Sequence, residues 1–360
     1  MAWRAVRWSA ALIGVLLGGG AGAQRLPIPE PRISPTVVTV APPRQARVPM
    51  PGGAVQLPGV AYAQPPGFQP ITLDLYLPPA GRAKPAGGYP LVIYIHGGGW
   101  MGGDPRKSGA FADFPAVLAS MAARGYVAAS LSYRLSGEAR FPAQAADVRA
   151  AIRWLKGHAG EYGLNPDKVV VWGASAGGHL AGLAATGCHV AALDWPPPPP
   201  ATPGVSGPPP NPYASISPCV QGAVTWYGVF DLTTLGEQAR SVPGAGSHDG
   251  PDAAEWRLLG CTPATCRGGE VALASPVTHV GRDTPPMLLI AGTADKTVPP
   301  AQSQEMAAAL TRAGVRNRLI LLPGIDHSFI GARPEVTRKA SLDALAATLA
   351  FIDQTIGAKR

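Results

Sequence analysis

The stretch Lys168-Val-Val-Val-Trp172, followed by Gly173-Ala-Ser175-Ala-Gly177, decides the fold prediction for this chain. An apolar β-branched run leads into Gly-x-Ser-x-Gly, and small helix-compatible residues follow over His179–Ala185. Strand, sharp turn and helix in this order form a nucleophile elbow, which exposes a serine hydroxyl at its tip. The glycines are needed because the strand and the helix cross too closely for larger side chains. The pattern predicts Ser175 as a nucleophile, and its alternative is a strand-to-helix turn with an inert serine.

A second glycine-rich segment, His96-Gly-Gly-Gly-Trp100, directly follows another predicted buried strand. Acyl transfer passes through an oxyanion, which preorganised backbone N–H groups stabilise. Consecutive glycines let the backbone approach the reacting carbonyl, because no side chain obstructs it. We predict that Gly98 and Gly99 donate to the oxyanion together with Ala176, the residue after the serine. Gly97 is the alternative donor within the loop.

The other members of a serine-hydrolase triad should follow the serine in the order acid, then histidine. Asp295 and His327 each come shortly after a predicted buried strand. The carboxyl ends of the strands are where open α/β sheets place their sites. Asp326 is the rival acid, but its adjacency to His327 places it poorly for a hydrogen bond to that imidazole. We therefore predict Ser175, Asp295 and His327 as the catalytic residues.

These motifs resemble those of the α/β-hydrolase superfamily. More narrowly, they are similar to the esterases related to hormone-sensitive lipase and to bacterial feruloyl-esterase-like (BD-FAE) proteins. The segments that carry the resemblance are His96-Gly-Gly-Gly-Trp100, Ser132-Tyr-Arg-Leu135, Phe141-Pro-Ala143, Gly173-Ala-Ser-Ala-Gly-Gly-His179, Gly292-Thr-Ala-Asp295 and His327-Ser-Phe329. Ala174 differs from the Asp common in the hormone-sensitive-lipase branch and favours the feruloyl-esterase-like one. The resemblance implies an α/β-hydrolase fold, a mostly parallel sheet flanked by helices with lid-type insertions.

The resemblance also implies a serine esterase that cleaves carboxylic esters through an acyl-enzyme. We expect small-molecule esters with small to medium acyl chains or hydroxycinnamoyl groups. Trp100 and Phe329 flank the oxyanion and histidine motifs and are candidate substrate-binding residues, with core packing as the alternative. His-Gly-Gly-x-Trp also occurs in arylformamidases, so an arylformamidase, amidase or peptidase with the same triad stays open. A catalytically dead hydrolase-fold binding protein is the alternative of another class.

Four further polar residues receive structural interpretations. His179, one turn into the elbow helix, is interpreted as a packed helix residue rather than a second base. His96 is interpreted as shaping the glycine loop through hydrogen bonding. Arg134 is expected in an ion pair that holds loops together, and Asp147 is expected to be a structural partner.

The first residues are typical of a secretory signal peptide over residues 1–23. Arg4 and Arg7 precede the apolar stretch Ala10–Leu17, and Ala21-Gly-Ala23 provides small residues for cleavage near Ala23. This predicts a secreted or periplasmic protein. The apolar stretch is too short to span a bilayer, so no stable membrane span is expected. The formal net charge of +8 comes from scattered basic residues, which gives nucleic-acid binding little support.

The rest of the chain is predicted to be a Pro-rich N-terminal arm over residues 24–54 and one α/β-hydrolase domain over residues 55–360. Within that domain, residues 195–212 form a Pro-rich insert and residues 231–285 a lid-type region without a long hydrophobic helix. This lid region argues against a triglyceride lipase that acts at an oil interface.

All four cysteines lie in this domain, and an even number in an exported protein predicts disulfides. Pairing Cys188 with Cys219 and Cys261 with Cys266 is the simplest of three possibilities. Buried free thiols are the alternative. No Cys/His spacing indicates zinc, and we expect neither a metal nor a cofactor. The oligomeric state is left open.

Overall fold

The computed structural model describes residues 45–65, 67–195 and 212–357. The predicted signal peptide, the arm as far as residue 44 and nearly all of the Pro-rich insert lie outside the described residues.

One mixed sheet forms the centre of the described chain. Its strands are β1 (Val48–Pro49), β2 (Val55–Ala63), β3 (Ile71–Leu77), β4 (Tyr89–Ile95), β5 (Val127–Leu131), β6 (Leu164–Ala174), β7 (Gly222–Trp226), β8 (Met287–Gly292) and β9 (Asn317–Leu322). They lie in the order β1-β2-β3-β5-β4-β6-β7-β8-β9. The pairs β1–β2, β2–β3 and β3–β5 are antiparallel, and every later pair is parallel. The predicted fold class, a mostly parallel sheet flanked by helices, is confirmed.

Helices cover both faces of this sheet. They are α1 (Phe114–Ala123), α2 (Ala143–Gly157), α3 (Ala159–Tyr162), α4 (Ala176–Thr186), α5 (Leu235–Arg240), α6 (Ala254–Leu259), α7 (Gly268–Leu273), α8 (Pro300–Arg312) and α9 (Pro334–Ile356). None of the described helices has both the length and the apolar composition needed to cross a membrane.

The central strands are buried on both faces, which explains their continuous apolar sequences. Along β4, Leu91, Ile93 and Ile95 belong to one buried cluster with residues of α2 and α4. Val92 and Tyr94 point the opposite way and join a second cluster with residues of α1 and α9. Successive side chains of a strand alternate between its faces, so one apolar run supplies both cores.

The lid-type region, residues 231–285, contains short helices. Three helices of six residues each, α5 to α7, lie there. Such short helices show little periodicity and depend on tertiary packing rather than on propensity. No helix in residues 231–285, all of which the structure describes, is longer than six residues.

Candidate active site

The elbow residue Ser175 lies between β6 and α4 in a backbone conformation that residues other than glycine rarely adopt. Its φ is 55° and its ψ is −122°. A Cβ added at Gly173 would lie 2.0 Å from the carbonyl oxygen of Gly177, and one added at Gly177 would lie 2.0 Å from the carbonyl oxygen of Ile95. Neither glycine can therefore be replaced without moving the backbone. Strain of this kind persists only where the surrounding structure enforces it.

The structure brings the three predicted triad residues into one hydrogen-bonded chain. Nε2 of His327 lies 3.0 Å from Oγ of Ser175, and Nδ1 lies 2.8 Å from Oδ2 of Asp295. Asp295 is fully buried. Its second oxygen accepts hydrogen bonds from the backbone N–H groups of Thr297 and Val298 at 2.9 and 2.8 Å. The carboxylate is thus fixed on one side by its own turn and faces the imidazole with the other.

The rival acid Asp326 contacts backbone instead of the imidazole. Its Oδ1 accepts the N–H of Lys296 at 2.9 Å and the N–H of His327 at 2.7 Å. Lys296 directly follows Asp295, so Asp326 joins the turn of the acid to the turn of the histidine. Because Asp326 directly precedes His327, its carboxylate lies beside the backbone of His327 and does not contact the imidazole ring.

The glycine loop lies against Ser175. A Cβ added at Gly97 would come within 3.1 Å of the Ser175 Cβ. The carbonyl of Gly98 accepts the N–H groups of Met101 and Gly102, both at 3.1 Å. Because C=O and N–H point in opposite directions across a trans peptide, the N–H of Gly99 is directed away from these partners.

The direction of the Gly98 N–H follows from its peptide in the same way. The carbonyl of Gly97 accepts a hydrogen bond from Nδ1 of His96 at 2.7 Å, which directs the Gly98 N–H to the other side of that peptide. Within the described residues, neither Gly98 N–H nor Gly99 N–H donates to a protein acceptor. Ala176 opens α4, where first-turn N–H groups have no partner within the helix.

His96 shapes this loop in the way its position predicts. The hydroxyl of Tyr133 donates to the carbonyl of His96 at 3.0 Å, and the two rings stack at 4.5 Å. Burial lowers the pKa of His96, against the opposing effect of its hydrogen bond to Gly97. The ring is therefore neutral near pH 7 and donates through Nδ1.

The two candidate substrate-binding residues are almost wholly covered. Trp100 is 3% exposed and meets the ring of His179 edge-on at 5.1 Å. Phe329 is 1% exposed and packs against Trp226 and Tyr227 at centroid distances of 5.1 and 4.7 Å. Their contact with a substrate stays a prediction.

Sequence reasoning missed Tyr227, whose ring meets the His327 imidazole edge-on at 4.6 Å. Its φ of 40° turns the chain just after β7. The available signal was an aromatic residue directly after a predicted strand at the same edge of the sheet.

The expected ion pair is present, since Arg134 Nη2 lies 2.6 Å from Asp147 Oδ1.

A histidine of the lid region contacts the turn that carries Asp295. Nδ1 of His248 lies 2.8 Å from Oε1 of the buried Glu255, and Nε2 lies 3.1 Å from the carbonyl of Thr297. The hydrogen bond to Glu255 raises the pKa of His248, while burial acts in the opposite direction. Both ring nitrogens face acceptors, so the arrangement favours the imidazolium. Helix α6, which carries Glu255, also borders the glycine loop. The Cβ of Ala254, its first residue, lies 3.5 Å from the position that a Cβ would take on Gly99.

The cysteines are joined in the pairs that the sequence favours. Cys188 is bonded to Cys219 and Cys261 to Cys266, with Cα–Cα distances of 4.9 and 5.2 Å. Each pair has a further metal-type ligand within 4.8 Å, His189 in one case and Glu270 in the other. Disulfide sulfur is not the thiolate that binds zinc, so these groups do not form metal sites in this state.

Comparison with known proteins points to esterases. A family model described as BD-FAE matches residues 73–310. The chain is 29% identical to Esterase LipQ of Mycobacterium tuberculosis over 281 residues, 77% of this chain and 58% of LipQ. A truncated carbohydrate esterase from gut microbiota has a similar structure, with a TM-score of 0.65 and 25% identity over 84% of this chain and 96% of that one.

A butyrate-bound thermophilic esterase from Thermogutta terrifontis is also similar. Its TM-score is 0.62 at 28% identity, and the match covers 83% of this chain and 95% of that one. This chain spans about half the length of the curated relatives it matches, namely 58% of LipQ and 49% of the probable carboxylic ester hydrolase LipM, which is 30% identical over 67% of this chain.

Proposed function

Because the chain belongs to the BD-FAE family of α/β-hydrolases, we propose that it is a carboxylic-ester hydrolase that forms an acyl-enzyme on Ser175. The observation that carries the proposal is the hydrogen-bonded chain from Asp295 through His327 to Ser175, with distances of 2.8 and 3.0 Å. This is the arrangement that activates a serine as a nucleophile.

In the first step, His327 takes the proton of Ser175 as Oγ attacks the ester carbonyl. Asp295 accepts the Nδ1–H of the imidazole, which leaves Nε2 unprotonated and facing Oγ. The proton then passes from Nε2 to the leaving alcohol. In the second step, His327 takes a proton from water as the water oxygen attacks the acyl-enzyme carbonyl. The bond between the acyl carbon and Oγ of Ser175 then breaks, Nε2 of His327 returns the proton to Oγ, and the acid is released with the free serine restored.

The oxyanion formed in both steps would receive hydrogen bonds from Gly98, Gly99 and Ala176. Support comes from the two loop N–H groups that have no protein acceptor among the described residues. The first-turn N–H of α4 supplies the third donor. Each such donor is worth about 10²–10³ in kcat in serine hydrolases.

The proposed substrates are esters with small to medium acyl chains or hydroxycinnamoyl groups. Met101 and Ile330 support this choice, because each is 45% exposed and they follow the glycine loop and His327 by a few residues. Exposed apolar side chains on both loops offer contact to an apolar acyl or aromatic group. The similar structures of a butyrate-bound esterase and of a carbohydrate esterase agree with this class.

We also propose that the protein acts in a secreted or periplasmic location. The support is that all four cysteines of the chain are joined in disulfides, which persist in oxidising compartments. Measuring the mass of the mature protein from a periplasmic or culture fraction tests this directly. Recovery of the full-length chain only from the cytoplasm would contradict it.

A substrate series tests the reaction. We expect kcat/KM to be highest for acyl chains of about two to eight carbons or for a feruloyl ester, since none of the helices described in residues 231–285 is long enough to form a lipase-type lid over the site. Ser175→Ala should abolish turnover and labelling by a fluorophosphonate, which establishes the nucleophile. A maximum at long acyl chains, or a preference for a formamide over every ester, would overturn the substrate proposal.

A further inference from the structure

A second hydrogen-bonded chain, which the triad does not use, connects the glycine loop to the elbow helix. Nε1–H of Trp100 donates to Nδ1 of His179 at 3.2 Å, and Nε2–H of His179 donates to the carbonyl of Ala274 at 2.6 Å. Trp100 is 3% exposed, and His179 and Ala274 are fully buried. A neutral imidazole has one donor and one acceptor, so these two contacts use both nitrogens and fix the tautomer.

We infer that His179 is a positioning residue, which holds the oxyanion donors of the glycine loop at a set distance from Ser175. The inference rests on the proposed function. It gives a role to a buried histidine that would otherwise be only part of the helix packing.

The hydrogen-bonded chain from Trp100 through His179 to Ala274 acts on the glycine loop through Trp100, the residue that directly follows Gly99. Trp100 has a φ of 57°, a strained value for a bulky residue. Its carbonyl accepts hydrogen bonds from the N–H and Oγ of Ser136 at 2.8 and 3.0 Å. The indole and the carbonyl are therefore held from two sides, and this fixes the backbone orientation that sets the direction of the Gly99 N–H.

The acceptor for the indole is carried by the helix that also carries the nucleophile. His179 lies in α4, one turn after Ser175, and its N–H donates to the carbonyl of Ser175 at 3.0 Å. The same rigid turn thus fixes the serine and the anchor of the loop. A displacement of about 1 Å between reacting groups can cost about 10²-fold in rate, so this shared anchor matters for catalysis.

At its other end, this series of hydrogen bonds reaches the lid region at the carbonyl of Ala274. Ala274 directly follows α7, and the next residue, Ser275, accepts the N–H of Leu232 through its Oγ at 3.0 Å. His179 therefore links three parts of the site: the glycine loop, the elbow helix and the segment that follows α7. Burial lowers the pKa of His179 to about 4, so the ring stays neutral and the chain keeps its direction at ordinary pH.

The test compares His179→Leu, His179→Asn and Trp100→Phe in the full chain. Leucine fills a similar space but cannot accept from the indole, whereas the Oδ1 of asparagine lies near the position of Nδ1 and can. We expect His179→Leu and Trp100→Phe each to lower kcat by about 10- to 100-fold with little change in KM. His179→Asn should stay close to wild type. The double variant Trp100→Phe/His179→Leu should be no worse than either single variant, since all remove the same hydrogen bond.

A purely structural role predicts a different order. If His179 only filled space, leucine would be tolerated and asparagine would be the worse variant, and that order would overturn the inference. Additive losses in the double variant, or losses in KM alone, would also overturn it. Should His179→Leu fail to fold, wild-type kcat in Trp100→Phe would be sufficient to refute the inference.

The rate of labelling by a fluorophosphonate separates this inference from the proposed function. The phosphonyl oxygen occupies the same oxyanion site, so labelling should slow in His179→Leu and Trp100→Phe but not in His179→Asn. A wild-type chain that labels but hydrolyses no ester refutes the proposed function, while the variant labelling rates still decide the inference. A wild-type chain that neither labels nor hydrolyses refutes both.

Discussion

At the scale of single residues, Asp295 and Asp326 show that the place of a carboxylate in the fold, and not its distance along the sequence, decides whether it contacts the histidine ring. Asp295 is 32 residues from His327 and still meets its ring, whereas Asp326 is adjacent and meets only backbone. The reason is that β8 and β9 are parallel neighbours, so the loops after their carboxyl ends lie side by side. An acid on one loop therefore faces a histidine on the other.

This contrast gives a matched pair of substitutions. We expect Asp295→Asn to lower kcat by about 10⁴-fold, because an amide no longer stabilises the tautomer and the imidazolium that catalysis needs. Asp326→Asn makes the same chemical change one residue from His327 and keeps an oxygen for the two backbone N–H groups. It should leave kcat near wild type in steady-state ester hydrolysis. The reverse result, with Asp326→Asn inactive and Asp295→Asn active, would show that the acid is misassigned.

At the scale of elements, the sequence predicts well wherever one segment determines its own structure. The strands β8 and β9 lie just before Asp295 and His327 as predicted, and β6, the elbow and α4 occur in the predicted order. The lid region depends instead on distant partners. The Gln302 side chain accepts the N–H groups of Phe230 and Asp231 at 2.7 and 2.8 Å from more than 70 residues away. A contact of this kind leaves no local pattern, so α5 to α7 could not be predicted.

The His248 contact between the lid region and the Asp295 turn should make stability depend on pH. The pKa of His248 is raised in the folded state, mainly by its hydrogen bond to Glu255, while burial acts in the opposite direction. The charge of Glu255, the hydrogen bond to the Thr297 carbonyl and the charge of Asp249 raise it further. The imidazolium therefore stabilises the fold fully below the unfolded pKa, which is about 6.5. This stabilisation is lost as pH rises through the folded-state pKa. Thermal unfolding across this range should show a wild-type advantage over His248→Gln that is largest at low pH and then shrinks.

The exposed His189 provides the control for this experiment. Its side chain is 70% exposed beside Asp283, where solvent screens the pair, so His189→Gln should leave the pH dependence of the melting temperature unchanged. Glu255→Gln should remove most of the dependence, because it removes the charge that favours the imidazolium. A His248→Gln variant with the same pH profile as wild type would refute this contact as the cause.

At the scale of the whole molecule, the two disulfides close loops of very different length. Cys188 and Cys219 are 31 residues apart and connect the segment after α4 to the segment before β7. Cys261 and Cys266 are only 5 residues apart, within the lid region. A cross-link stabilises mainly by restricting the unfolded chain, and the effect grows with loop length. The first bond should therefore contribute to global stability more than the second.

Paired substitutions measure that difference. On the chain-entropy model, Cys188→Ser/Cys219→Ser should lower the free energy of unfolding in urea by about 3–4 kcal/mol, and Cys261→Ser/Cys266→Ser by about 2 kcal/mol. Both double variants replace the same atoms, so each serves as the control for the other. Helix α4, which follows Ser175, ends two residues before Cys188, so fluorophosphonate labelling of Ser175 in the folded variant would show whether the elbow keeps its structure without the disulfide. A larger loss from the short loop would mean that local strain or packing, and not chain entropy, governs what these bonds contribute.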